Sequence, residues 1–167
     1  CPVSVLPQNS AHTDILTGYA KDGALLPQSS SGAIFPVLAA EIIRRGGLVF
    51  GAAFDGLFQV VHTAAESVEE LSTLCSSKYV QGRIPSDCYA QVKAALAAGR
   101  WVYFSGMPCQ VAALKSYLSR DYDTLITQDT ACHSVPSPLV WEGYKEELEK
   151  QHGGKLTSFS FRNKANG

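Results

Sequence analysis

The fold is decided by the stretch Trp101-Val102-Tyr103-Phe104-Ser105-Gly106-Met107-Pro108-Cys109-Gln110. Its first four residues are apolar, which is typical of a strand that a parallel sheet buries on both faces. A short Ser-Gly loop follows, and the proline suits the first turn of a helix whose apolar residues continue to Leu118. A strand that leads through a tight loop into a helix is the repeating unit of an α/β sheet.

Similar units lie on both sides of this stretch. A predicted helix over Ile34–Ile43 precedes the apolar run Leu48–Phe54, which we interpret as a second buried strand. The Asp55-Gly56 pair predicts a hairpin turn, with a return strand over Phe58–Thr63. Leu125–Thr127 predicts another strand. We therefore predict an α/β fold with a mixed, partly parallel sheet flanked by helices, as an incomplete domain.

The remaining elements follow from capping signals and alternation. Helices are expected from Ser67 to near Cys75, from Pro85-Ser86-Asp87 to Gly99, and from Ser137 to about Gln151. Alternating apolar residues predict a short strand over Ile15–Ala20 and a half-exposed strand over Lys155–Phe161.

Composition excludes several classes of protein. The 167 residues carry a net charge of −1 and no basic run, which argues against nucleic acid as a partner. No apolar stretch reaches the ~18 residues of a membrane span. The five cysteines are widely spaced and form no C-x-x-C pair, so a reduced, cytoplasmic location is expected. Met107 is the only methionine, which indicates a piece of a longer chain.

Three loops at helix starts combine small and polar residues. Ser29-Ser30-Ser31-Gly32 precedes the first helix and is able to hold phosphate through backbone N–H groups, although simple N-capping by serine explains it equally well. In the second loop, Gly106 allows close approach of a ligand, and Cys109 lies in a first helical turn, where a thiol is a better nucleophile or metal ligand than an average cysteine. The third loop carries the pair Cys132-His133.

Other polar residues give weaker signals. Lys78-Tyr79 precedes a turn and is suited to an anionic ligand or simply to solvent. Cys75 and Cys88 lie on predicted helices and are interpreted as packing residues. His62 alternates on the predicted return strand as a partly exposed sheet residue.

At these loops the chain resembles the beta subunit of coenzyme F420 hydrogenases and dehydrogenases. The matching segments follow one another at the family's spacing from Ser29 to the end of the chain. They are Ser29-Ser30-Ser31-Gly32-Ala33-Ile34-Phe35, Gly51-Ala52-Ala53-Phe54-Asp55, Ser77-Lys78-Tyr79-Val80-Gln81, Phe104-Ser105-Gly106-Met107-Pro108-Cys109-Gln110, Asp129-Thr130-Ala131-Cys132-His133-Ser134-Val135-Pro136-Ser137 and Phe161-Arg162.

The resemblance implies an oxidoreductase subunit that binds FAD and transfers electrons between 4Fe-4S clusters and coenzyme F420 or a similar small acceptor. It implies electron-donor or electron-acceptor proteins as partners. Cofactor contacts are implied for Ser30, Ser31, Gly32, Lys78, Tyr79, Gly106, Met107, Pro108, Gln110 and His133. Cys109 and Cys132 match family cysteines and become candidate cluster ligands. Cys1-Pro2 resembles the last ligand of an upstream ferredoxin-like module.

The resemblance also implies domain boundaries. Residues 1–28 become a linker after the removed module, and residues 29–167 a flavin-binding domain without its C-terminal part. Because a thiolate cluster takes four cysteine ligands, and because the part that closes the flavin site is missing, we expect this stretch alone to be folded but cluster-free, colourless and inactive. A remnant groove is expected to be lined by Ser31, Gly32, Lys78, Gly106, Cys109 and His133.

Three residues depart from the family pattern. Met107 stands where the family often has threonine, and Ala33 and Ser134 each replace a glycine. Two other functions stay open. One is a thiol enzyme with Cys109 as nucleophile and His133 as base. The other is a nucleotide-binding or interaction module without catalysis.

Overall fold

The computed structural model describes residues 14–27 and 29–162. Within these ranges the chain forms a four-stranded mixed sheet with helices on both faces, which confirms the predicted fold class. The elements in chain order are α1 (Ile34–Arg44), β1 (Leu48–Phe54), β2 (Val60–Ala65), α2 (Val68–Leu74), α3 (Cys88–Ala97), β3 (Val102–Gly106), α4 (Pro108–Leu118), β4 (Leu125–Asp129) and α5 (Pro138–His152). No helix in the described ranges has the length and apolar character needed to cross a membrane.

The sheet has the strand order β2-β1-β3-β4. β1 and β2 form an antiparallel hairpin, while β3 runs parallel to both β1 and β4. The carboxyl ends of β1, β3 and β4 therefore lie at the same edge of the sheet. In open α/β sheets, ligands bind beyond that edge.

Each face of the sheet has its own apolar core. Helices α1 and α2 cover one face, where Val49 and Tyr103 are completely buried. Helices α3 and α4 cover the other face, where Phe50 and Phe104 pack at a ring distance of 6.3 Å. Side chains alternate between the two cores along each strand, so the continuous apolar runs of β1 and β3 are explained by burial on both faces.

The hairpin between β1 and β2 is longer than the Asp55-Gly56 pair predicts. The carboxylate of Asp55 accepts hydrogen bonds from the N–H groups of Leu57 and Gln59, at 2.9 and 2.8 Å. Phe58 takes the left-handed conformation, with φ of 60°. Because Asp55 closes a wider loop, β2 begins at Val60 rather than at Phe58.

The predicted strand over Lys155–Phe161 is wrong. This stretch contains no regular structure, and its apolar residues pack on the indole of Trp141 in α5 instead of joining the sheet. The ring centroids of Phe159 and Phe161 lie 4.9 and 5.5 Å from that of Trp141. Phe159 and Phe161 are half-buried as their alternation predicts, but the neighbour that covers them is a helix.

The predicted strand over Ile15–Ala20 is also wrong, since residues 14–20 contain no regular structure. Ile15 and Leu16 are 89% exposed, and only Ala20 is buried. The Ala20 N–H donates to the carbonyl of Gly32 at 2.7 Å. This hydrogen bond holds the segment against the start of α1.

Candidate functional site

A cavity of about 660 Å³ opens at the carboxyl edge of the sheet, between the starts of α1 and α4. This volume lies within the range of roughly 300–1,000 Å³ that small-molecule sites occupy. Its walls are residues 29–31, 33–36, 51–52, 74–79, 105–107 and 130–135, together with His62, Gln110, Gln128 and Arg162. All three loops singled out in the sequence contribute to it.

Most of the predicted site residues lie in these walls. Those that line the cavity are Ser30, Ser31, Lys78, Tyr79, Gly106, Met107, Gln110, Cys132 and His133. Among the described residues, Gly32, Pro108 and Cys109 do not line it, so the expected groove is formed without two of its six predicted members. Cys1 lies outside the described residues.

Gly32 contacts the protein rather than the cavity. A Cβ at this position would lie 2.6 Å from the carbonyl oxygen of Gly18 and 3.3 Å from the Cα of Tyr19. The absence of a side chain is therefore required by residues 18–20, which pass across the start of α1.

The start of α1 is not capped by serine. Its N-cap residue is Ala33, whose side chain makes no capping bond and whose φ of 61° is left-handed. The prediction that the serine loop, residues 29–32, simply caps this helix is therefore wrong. Ser134, the other residue that replaces a family glycine, also has a positive φ, of 77°. Ala33 and Ser134, the two positions at which the resemblance leads us to expect glycine, thus occupy backbone conformations that favour glycine.

Ser30 connects the serine loop to two other walls. Its hydroxyl accepts a hydrogen bond from the N–H of Ser77 at 2.7 Å. Its carbonyl accepts one from the guanidinium of Arg162 at 3.2 Å. These bonds fix the loop relative to the turn after α2 and to the C-terminal part of the chain.

Lys78 is a fixed positive charge in the wall. Its ammonium donates to the carbonyls of Thr73, Cys75 and Ser76 at 3.0, 2.7 and 3.3 Å, and so it caps the C-terminus of α2. Burial lowers the pKa of Lys78 to about 8. Three carbonyl acceptors favour the charged form, so Lys78 is a cation at neutral pH whose N–H groups bind protein.

His62 was not recognised as a site residue from the sequence. It is only 3% exposed and lines the cavity, which corrects the expectation of a partly exposed residue. Its imidazole crosses the small side chain of Ala52 in β1, and its Nε2 donates to the carbonyl of Ser105 in β3 at 3.0 Å. The signal available in the sequence was its position two residues from both Val60 and Ala64, on the face of β2 that packs into a core.

The other ring nitrogen of His62 is unsatisfied. Because a carbonyl only accepts hydrogen bonds, Nε2 carries the proton and Nδ1 is left with a lone pair. That atom is buried and has no hydrogen-bond partner among the described residues. Burial lowers the pKa of His62, and the bond to Ser105 opposes this shift. The neutral form is therefore favoured.

Met107 and Gln110 form the N-terminal cap of α4. The side-chain oxygen of Gln110 accepts a hydrogen bond from the N–H of Met107 at 2.9 Å. A Cβ at Gly106 would lie 3.0 Å from that same oxygen, so glycine leaves room for the cap. Two residues assigned to a cofactor thus also hold the loop together.

The described cysteines do not form a cluster site. Cys132 is exposed and lines the cavity, whereas Cys109 is exposed outside it. Cys88 is buried in the core as a packing residue, and Cys75 is half-buried at the end of α2, where it also lines the cavity. No group of three or more potential metal ligands occurs in residues 14–27 and 29–162. The described residues therefore do not fit a four-ligand cluster.

Comparison with known proteins supports the fold. No protein-family profile and no curated protein matches the sequence. Among solved structures, the chain is similar to a chain of the xenon-derivatised F420-reducing NiFe hydrogenase complex from Methanosarcina barkeri, with a TM-score of 0.60 and 21% sequence identity. The match covers 80% of this chain and 48% of the other, so the chain spans about half the length of that neighbour. The resemblance drawn from the motifs is thus supported at the level of the fold.

Proposed function

We propose that this chain contributes a flavin-binding domain to an oxidoreductase, with FAD held in the cavity at the carboxyl edge of the sheet. The observation that carries the proposal is the meeting of the motif segments in that cavity. Residues 29–31, 77–79, 105–107 and 130–135 lie far apart in the sequence and come together there. The similarity in fold to a chain of an F420-reducing hydrogenase complex supports the same class of protein.

The cavity fits a large, anionic, partly aromatic ligand. Small side chains at Gly51 and Ala52 leave space beside the sheet, and Phe35 and Leu74 supply apolar surface. The N-cap residue of α1 makes no side-chain capping bond, so the N–H groups of Ile34 and Phe35 are suited to phosphate, while Pro36 at the third position has no N–H.

FAD, when bound, supplies hydride and single-electron chemistry, while the protein supplies binding and orientation. In this proposal the uncapped start of α1 binds the diphosphate, and Met107 sets the polarity of the wall next to the ring. We assign electron exchange with F420 or a similar acceptor to the whole enzyme. The described cysteines hold no cluster in this proposal.

Direct titration tests this proposal. The 167-residue chain is titrated with FAD while flavin fluorescence and the heat of binding are recorded. We expect saturable binding of one FAD with a Kd on the order of 1–100 μM, because the described residues already form the cavity. A lack of saturable binding would show that this chain does not bind FAD and would refute the proposal.

A pair of variants locates the bound flavin. Thr130→Trp places a bulky ring in the cavity wall and should abolish binding. Thr63→Trp places the same ring on an exposed position of β2 and should leave binding unchanged. Equal affinities for FAD in the two variants would contradict the assigned site.

The alternative thiol enzyme has less support. His133 lines the cavity and Cys109 does not, and no hydrogen bond joins these two described residues. A nucleotide-binding module without redox activity has the same binding site. It would be distinguished by binding of ADP without binding of riboflavin.

A further inference from the structure

The C-terminal part of the described chain places a positively charged side chain, that of Arg162, in the cavity wall. We call residues 156–162 the strap. Phe161 in the strap packs between Trp141 of α5 and the ring of Tyr79, with ring centroids 5.5 and 5.7 Å away. At the other end, the N–H of Leu156 donates to the carboxylate of Glu149 at 2.9 Å. Contacts at both ends thus fix the strap.

Arg162 follows directly after this aromatic anchor. One of its terminal nitrogens donates to the carbonyl of Ser30 at 3.2 Å, and its side chain lines the cavity. A guanidinium carries five N–H donors in a planar fork, and the bond to Ser30 uses one of them. The same fork matches the oxygens of a phosphate group in pairs.

The cavity wall is positively charged, whereas the chain as a whole carries a small negative charge. The chain has 15 acidic residues and a net charge of −1, yet none of the described residues that line the cavity is Asp or Glu. Its two cations are Lys78 and Arg162. The ammonium of Lys78 is directed to three carbonyls, so its N–H groups serve the end of α2. Arg162 is the cation of the wall with donors for a ligand.

We propose that Arg162 is the phosphate-binding residue of this cavity, and that the cavity selects nucleotides bearing a phosphate or diphosphate. The proposal rests on the cavity being the ligand site of the proposed function, but it does not require the ligand to be a flavin. Arg162 holds the serine loop through Ser30 and binds phosphoryl oxygens with its remaining N–H groups. The aromatic anchor at Phe161 sets its position.

The test compares four ligands that separate the two parts of FAD. Riboflavin has the ring without phosphate, FMN adds one phosphate, FAD carries the diphosphate, and ADP has the diphosphate without the flavin ring. Binding of each is measured by calorimetry with the wild-type chain, Arg162→Gln and Arg162→Lys. The matched control is Arg120→Gln, which removes an exposed arginine that stacks on Tyr122 outside the cavity.

We expect Arg162→Gln to weaken FAD and ADP about tenfold, to weaken FMN by a similar or smaller factor, and to leave riboflavin unchanged. Arg162→Lys should recover part of the loss, because it keeps the charge without the fork. Arg120→Gln should bind all four ligands like the wild type. Raising the salt concentration should reduce the difference between wild type and Arg162→Gln.

Two results would overturn the proposal. One is a loss of riboflavin affinity equal to the loss for FAD, since Arg162 would then support the cavity without contacting phosphate. The other is unchanged affinity for FAD and ADP. Binding of ADP that depends on Arg162, with no binding of riboflavin, FMN or FAD, would refute the flavin function and keep this inference. Flavin binding that does not depend on Arg162 would refute this inference and keep the flavin function.

Phe161→Ala provides a second measurement that is independent of the charge. Loss of the ring should displace the strap, and with it Arg162, so the phosphate-bearing ligands should weaken while riboflavin changes less. Thermal unfolding followed by circular dichroism shows whether each variant remains folded. A folded Phe161→Ala variant with wild-type affinity for ADP would contradict the positioning role of the strap.

Discussion

Replacing Gly32 with alanine separates a structural role from a ligand-binding role. The added Cβ would lie 2.6 Å from the carbonyl oxygen of Gly18, whereas ordinary contacts begin at 3.4 Å. The carbonyl must therefore retreat by the difference, about 0.8 Å. Since Gly18 lies two residues before Ala20, this shift reaches the bond that holds the N-terminal segment, from the Ala20 N–H to the carbonyl of Gly32.

The expected cost of Gly32→Ala is about 2 kcal/mol. Loss of the 2.7 Å hydrogen bond of Ala20 contributes about 1 kcal/mol, and exposure of its buried methyl group contributes ~0.8 kcal/mol. The loss of stability cannot be much larger than this. Residues 14–20 form no regular structure, so they detach locally and leave the sheet folded.

Hydrogen exchange of the Ala20 amide measures this directly. A loss of 2 kcal/mol in local stability accelerates exchange by roughly thirtyfold, while amides in β1 should keep their wild-type rates. Gly23→Ala is the control, because no atom lies within 4 Å of its added Cβ. If Gly32→Ala kept the Ala20 exchange rate within threefold of wild type and instead lowered affinity for FAD, our assignment of Gly32 to the backbone contact would be refuted.

Two further outcomes follow from His62 and Ser134. Because the folded pKa of His62 lies below its ordinary value of 6.5, its stabilising contribution is present above pH 6.5 and is lost as the pH falls through the folded value. Urea unfolding at pH 7.5 and pH 5 should therefore show a larger loss of stability in the wild type than in His62→Gln; equal losses would contradict this. Ser134→Gly should raise the free energy of unfolding by about 0.5–1 kcal/mol. Glycine removes the strain of a serine held at positive φ, and this gain exceeds the cost of the extra conformational entropy that glycine gives the unfolded chain. Thermal denaturation checks the change, and a lower Tm would argue against strain at this position.

The central sheet was predictable because burial on both faces leaves a clear pattern. Leu48–Phe54 and the strand after Trp101 are continuous apolar runs, and both form where expected. The hairpin was less predictable, since the side chain of Asp55 widens the loop through its own hydrogen bonds. The stretch Lys155–Phe161 was predicted as a strand because Phe159 and Phe161 alternate with polar residues, and this alternation leaves open whether Trp141 or a strand covers them.

One part of the site was predictable, namely the part that depends only on the order of strands and helices along the chain. Loops at helix starts after parallel strands meet at one edge, so Ser31, Gly106 and His133 came together as expected. Cys109 lies in the first turn of α4, and the direction in which a side chain leaves a helix does not follow from the order of the elements, so its position outside the cavity was not predictable. His62 was missed because its burial depends on the small Ala52 in the neighbouring strand, which is a tertiary relation.

The two hydrogen bonds of Ser30 also determine when the cavity forms during folding. They join residues 47 and 132 positions apart along the chain, to Ser77 and Arg162. Closing such long loops costs entropy before their contacts form, so we expect the cavity to assemble after the sheet and to open before the sheet unfolds. Without ligand, the Ser77 amide should then exchange much faster than that of Val49 in the core, because opening of the cavity costs less free energy than unfolding of the sheet. Equal opening free energies at both amides would show that cavity and sheet open as one unit.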